Sequence, residues 1–167
     1  MLGMAILCMT SCESGSSYQM NANPSAAVLD VAIPEDTLKL DYAEIGKKNA
    51  VDSAAVTPSA ETLALIDSEF SAVLEKIRQG HGILQNVAAV GGATSSRDSS
   101  MFRKTFERLD DFYNLMEEAN SWMPFYSYVH PDPFIREAGE KIEQYVSKYL
   151  VEVGSSRNLY QALLRAQ

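Results

Sequence analysis

The side chains able to do chemistry are few. The 167-residue chain holds two histidines, His81 and His130, and two cysteines, Cys8 and Cys12. A catalytic zinc ion needs three protein ligands and an open position. The histidines lie nearly fifty residues apart on different elements, and no His-Glu-x-x-His string occurs. A serine nucleophile needs a base set by the fold, and no G-x-S-x-G elbow is present. Gly91-Gly92 lacks the G-K-[ST] of a phosphate loop. The paired acids Asp110-Asp111 and Glu117-Glu118 point about 100° apart on a helix, which makes a solvated face rather than an acid–base couple. His81 reads as an exposed residue between two glycines, and His130 as a cap at a helix start. No catalytic or metal-binding residue is expected.

Both cysteines fall in the first twelve residues, leaving the rest of the chain without a thiol. Leu2 to Met9 is a short apolar run, well below the roughly 18–20 residues of a membrane span. It fits the apolar core of a signal peptide. Met9-Thr10-Ser11-Cys12 looks like a bacterial lipobox, which makes Cys12 the candidate lipidation site and the lipid the only tie to a membrane. The expected location is then the bacterial cell envelope or periplasm. No Lys or Arg precedes the run, so the alternative is an ordinary thiol on a cytoplasmic protein. No Arg occurs before Arg78, which argues against a mitochondrial transit peptide.

The net charge of −8 is unevenly spread. Residues 13–70 carry ten acids against three lysines, whereas residues 71–167 carry twelve acids against eleven bases. No basic stripe is visible, and no nucleic-acid partner is expected. Residues 13–56, rich in Ser, Asn, Ala and Asp and broken by Pro24 and Pro34, read as a flexible acidic linker with one short element near Glu35 to Ile45.

Residues 57–167 read as all-α, an antiparallel helical array of hairpins. The first helix starts at Thr57-Pro58, with Thr57 able to cap. Leu63, Ile66, Phe70, Val73/Leu74, Ile77 and Leu84 recur at helical spacing; Gly80 and Gly82 either kink or end the helix. A second helix is expected over 100–128, with a core stripe of Phe102, Phe106, Leu109, Phe112/Tyr113, Met116, Ala119, Trp122/Met123 and Tyr126, bent or broken near its end by Pro124. Trp122 is placed in the core. A third begins at His130-Pro131-Asp132-Pro133, capped by His130 or Asp132, and buries Phe134, Ala138, Ile142, Tyr145/Val146, Tyr149/Leu150 and Val153. Ser155 or Ser156 caps a short fourth helix with Leu159, Ala162, Leu163 and Ala166 on one side.

Four strings fall in an order that resembles the N-terminal region of the thimet-oligopeptidase-like zinc metallopeptidases. They are Tyr128-Val129-His130-Pro131-Asp132, Ile135-Arg136-Glu137-Ala138, the helix from Glu140 to Glu152, and Asn158-Leu159-Tyr160-Gln161-Ala162-Leu163. The match spans about residues 100–167 and, more loosely, begins at Thr57. The resemblance implies helices forming one wall of a channel that admits short peptides. It also implies zinc as the family's cofactor, held by residues this chain does not contain; none of the family's catalytic residues carries over. On that reading the chain is a truncated gene model, a split gene or a fragment, inactive by itself. The alternative is a self-standing helical lipoprotein that binds a partner.

Overall fold

A computed structural model describes residues 28–34, 37–50, 56–91 and 99–166. Six helices follow one another: α1 (Tyr42–Lys48), α2 (Ala60–Gly91), α3 (Ser99–Ala119), α4 (Trp122–Val129), α5 (Pro133–Gly154) and α6 (Arg157–Ala166). Among the described residues there is no strand, and the all-α expectation holds. α2 is the spine and packs against α3, α5 and α6; α4 lies on α5, and α1 also packs on α5.

α2 starts two positions later than its Thr57-Pro58 signal. Ser59 is the capping residue: its Oγ accepts from Thr62 N at 3.0 Å. The helix runs unbroken through Gly80-His81-Gly82. Gly80 is a close-approach position, since a Cβ there would lie 2.9 Å from Met116 Cε and 3.0 Å from Phe112. The long helix thus carries glycine where α3 comes nearest, at a local propensity cost of roughly 1 kcal/mol.

The expected single helix over 100–128 is two helices. It breaks at Asn120-Ser121, where Asn120 N bonds Met116 O and Glu117 O and Ser121 Oγ donates to Glu118 O at 2.8 Å. Pro124 consequently falls in the first turn of α4, where a backbone N–H has no intrahelical acceptor anyway. The break falls where the Pro124 ring would otherwise meet the carbonyl of Asn120, four residues back.

The expected core stripe holds from Leu109 onward and fails at the start of α3. Phe112, Met116 and Ala119 are buried with Thr105, whereas Phe102, Phe106 and Tyr113 are exposed. Trp122 is 66% exposed, and Met123 beside it fills the core position. The placement of Trp122 in the core is therefore wrong by one residue, about 100° of helix.

α5 meets its expected pattern: Phe134, Ala138, Ile142, Val146, Tyr149 and Val153 are all buried. Asp132 caps it, its Oδ1 accepting from Phe134 N at 2.8 Å, and Pro133 occupies the first helical position. α6 is capped by Ser156, whose Oγ accepts from Leu159 N at 3.1 Å. Leu159 and Ala162 are buried, which gives this ten-residue helix the packing partner its length requires.

The core also reaches into the expected linker. Leu29, Val31 and Ile45 are buried in it. Asn158 Nδ2 donates to Val28 O at 2.6 Å, and Ser156 Oγ donates to the Asp30 carboxylate. The short element expected near Glu35 to Ile45 is α1, displaced to Tyr42–Lys48. Composition suggested a tether because small polar residues and the prolines Pro24 and Pro34 break up any regular apolar pattern here. Two or three apolar residues suffice once polar atoms anchor the backbone.

Candidate functional site

The polar groups that could do chemistry gather in two places. The first joins the N-termini of α2 and α5. Thr62, 7% exposed, donates its Oγ1–H to Asp132 Oδ2 at 2.7 Å. With that proton committed, the 3.0 Å contact between Ser59 Oγ and Thr62 Oγ1 is a bond donated by Ser59. Asp132 N donates to His130 Nδ1 at 3.1 Å. Arg136 Nη1 donates to the carbonyls of His130 at 2.8 Å and Pro131 at 2.9 Å.

This set contains a serine, an aspartate and a histidine, yet it is not a nucleophilic triad. His130 turns its Nδ1 to a backbone N–H and makes no bond to Ser59 or Thr62. The Asp132 carboxylate spends both oxygens, one on a helix cap and one on Thr62. His130 is the C-terminal cap residue of α4, its N–H bonding Tyr126 O, while Asp132 is the helix-start cap; the two alternatives for that cap resolve in favour of Asp132.

The second place is the middle of the bundle. His81 is 7% exposed, which corrects its reading as a surface residue between glycines. Its Nδ1 shares a 3.2 Å hydrogen bond with the hydroxyl of the fully buried Tyr149. Burial pushes His81 below its ordinary value near 6.5, and burial, with Glu152 second, pushes Tyr149 well above its ordinary range. Both side chains are thereby held neutral at pH 7. The signal was present in the sequence: His81 stands four residues after Ile77 and three before Leu84, on the apolar stripe itself.

Among the described residues no three His, Cys, Asp or Glu side chains come together to hold a metal ion. Asp110, Asp111, Glu117 and Glu118 are exposed, and Glu118 pairs with Lys76 of α2. Cys12, the candidate lipidation site, lies outside the described residues, as does the rest of the 1–12 signal segment. No described helix is long and apolar enough to cross a membrane.

Among the described residues, apolar surface is exposed in several places. α4 exposes Trp122, Phe125, Tyr128 and Val129. Between α3 and α6 opens a cleft of about 200 Å³ lined by Leu109, Phe112, Tyr113, Tyr160 and Leu163, among others. Comparison of the chain with protein-family models, curated proteins and solved structures finds no match.

Proposed function

We propose that residues 57–167 are the helical, substrate-channel-wall part of a zinc-dependent oligopeptidase-like protein that acts on short peptides. This part is not catalytic by itself. The observation carrying the reading is the work done by the strings that resemble that family. His130-Pro131-Asp132 and Arg136 build the α4–α5 corner: the Asp132 cap, its bond to Thr62, and the Arg136 clasp on two carbonyls. Ser156 caps α6, and the following Asn158 to Leu163 string sets Leu159 and Ala162 into the core. Residues that define corners are those a shared framework has reason to keep at fixed spacing. Zinc, on this reading, is bound by a different segment of the protein, and Cys12 carries the lipid that places it in the cell envelope.

The test is the coding sequence that follows codon 167. A His-Glu-x-x-His encoded there, in the same or an adjacent frame, is the expected result. A following region that encodes no such motif overturns the reading. The anchor is tested separately by labelling with a fatty-acid analogue, which Cys12→Ser should abolish.

A second reading, a self-standing helical binding module, is favoured by the exposed Trp122, Phe125, Tyr128 and Val129 of α4. It requires that no catalytic segment be encoded downstream.

A further inference from the structure

α4 turns an uncharged aromatic face to solvent. Trp122, Phe125, Tyr128 and Val129 are each more than half exposed, and their spacing sets them within about 120° of the helix surface. Met123 and Pro124, on the opposite side, are buried. The helix contains no Asp, Glu, Lys or Arg, so the face itself offers a protein partner no ion pair. Trp and Tyr join an apolar ring to one polar group, the combination that settles at the boundary between acyl chains and headgroups. Phe125 and Val129 add apolar area alone.

A bilayer also lies within reach, on the reading that Cys12 carries a lipid. Val28 is held at the start of α6, where Asn158 Nδ2 donates to its carbonyl. α4 packs on α5 at Gly139, about four turns before the end of that helix, or about 22 Å along its axis. Residues 13–27, which join Cys12 to Val28, reach at most about 55 Å when fully extended. A membrane that holds Cys12 is therefore close enough for α4 to touch.

We infer that α4 lies flat on a bilayer of neutral headgroups, with Trp122, Phe125 and Val129 set among them. The contact rests on the Cys12 reading for its location and not for its chemistry. The net charge of −8, with Glu117 exposed just before α4, selects zwitterionic over anionic lipid. Eight residues of helix measure about 12 Å, so α4 lies on the membrane and does not cross it.

Trp122 is the one tryptophan of the chain, so its emission reports on the face directly. The test adds vesicles of phosphatidylcholine and phosphatidylethanolamine to the whole chain carrying Cys12→Ser, so that no acyl anchor contributes. The emission should shift to the blue, and lipids brominated near the headgroup end of the acyl chain should quench it. Phe125→Ser, checked by circular dichroism for intact helices, should weaken partitioning by about tenfold, and Tyr128→Ser should weaken it as well. Replacing part of the lipid by phosphatidylglycerol should also weaken it. An unshifted emission overturns the proposal and leaves the face to a protein partner. So does a chain that floats with the vesicles while Trp122 stays unshifted, since the apolar run Leu2 to Met9 would then be the contact. A Trp122 shift in a protein whose Cys12 takes up no fatty-acid label supports the α4 contact and removes the anchor alone.

Discussion

Thr62 Oγ1 donates to Asp132 Oδ2 at 2.7 Å across seventy residues of chain, so one hydroxyl locks the start of α2 to the start of α5. The carboxylate that caps α5 is thus shared between two helix N-termini, both of which favour negative charge. Thr62→Val keeps the shape and removes the donor, leaving a carboxylate oxygen short of a partner. The expected loss is about 1–3 kcal/mol in urea unfolding. A loss of only a few tenths would show that water replaces Thr62 freely.

A buried and an exposed aromatic give a sharp contrast in substitution cost. Phe112 is fully buried, and Phe112→Ala should cost about 3–5 kcal/mol. Trp122, although larger, is 66% exposed, so Trp122→Ala should cost below about 1 kcal/mol. Chemical denaturation of both variants settles the register of α3 and α4. Equal costs would mean that Trp122 is packed.

Two glycines in helix interiors should respond in opposite directions to alanine. A Cβ on Gly139 would lie 2.2 Å from Met123 O and 3.0 Å from Ser127 N, in the backbone contact between α4 and α5. Gly139→Ala should cost about 1–3 kcal/mol, because backbone must shift to admit the methyl group. A Cβ on Gly82 meets nothing within 4 Å, so Gly82→Ala should gain about 0.5–1 kcal/mol from helix propensity alone. Thermal melts compare the two; a destabilised Gly82→Ala would place an unseen neighbour against α2.

Acid should weaken the fold in two separate windows. His81 is depressed by burial, so its folded value lies below the unfolded one near 6.5. Its contribution is complete above that value and is lost as pH falls from about 6.5 toward the folded value. Asp30 is depressed chiefly by the Ser156 hydroxyl, and its contribution drains away only below its ordinary 3.8. The urea midpoint should therefore fall as pH drops below about 6.5, and His81→Gln should flatten that slope. An unchanged slope in the variant would exclude His81 as its source.

Much of the fold is legible in the sequence, and the failures share a cause. α5 could be read because one unbroken apolar stripe has one neighbouring layer to face. α3 misled because it carries two adjacent stripes, Phe102-Phe106-Tyr113 and Thr105-Phe112-Met116; aromatic size points to the first, while α2 packs against the second. His81 was hidden by its glycine neighbours, although its spacing from Ile77 and Leu84 put it on the core face. The packing of Leu29 and Val31 was not legible, because it depends on Ser156 and Asn158, more than a hundred residues away. The arrangement of the polar groups could be read only as absences of motifs. Their use as caps and cross-links appears with the tertiary contacts.

The account holds that among the described residues the side chains that look chemical, His81, His130 and Asp132, are spent on structure. The most direct measurement is a zinc titration and a peptide-cleavage assay on the purified chain, with a set of quenched-fluorescent short peptides. The account predicts no stoichiometric zinc binding and no hydrolysis above the buffer rate, with or without added zinc. Peptide cleavage that a chelator abolishes and zinc restores would contradict it.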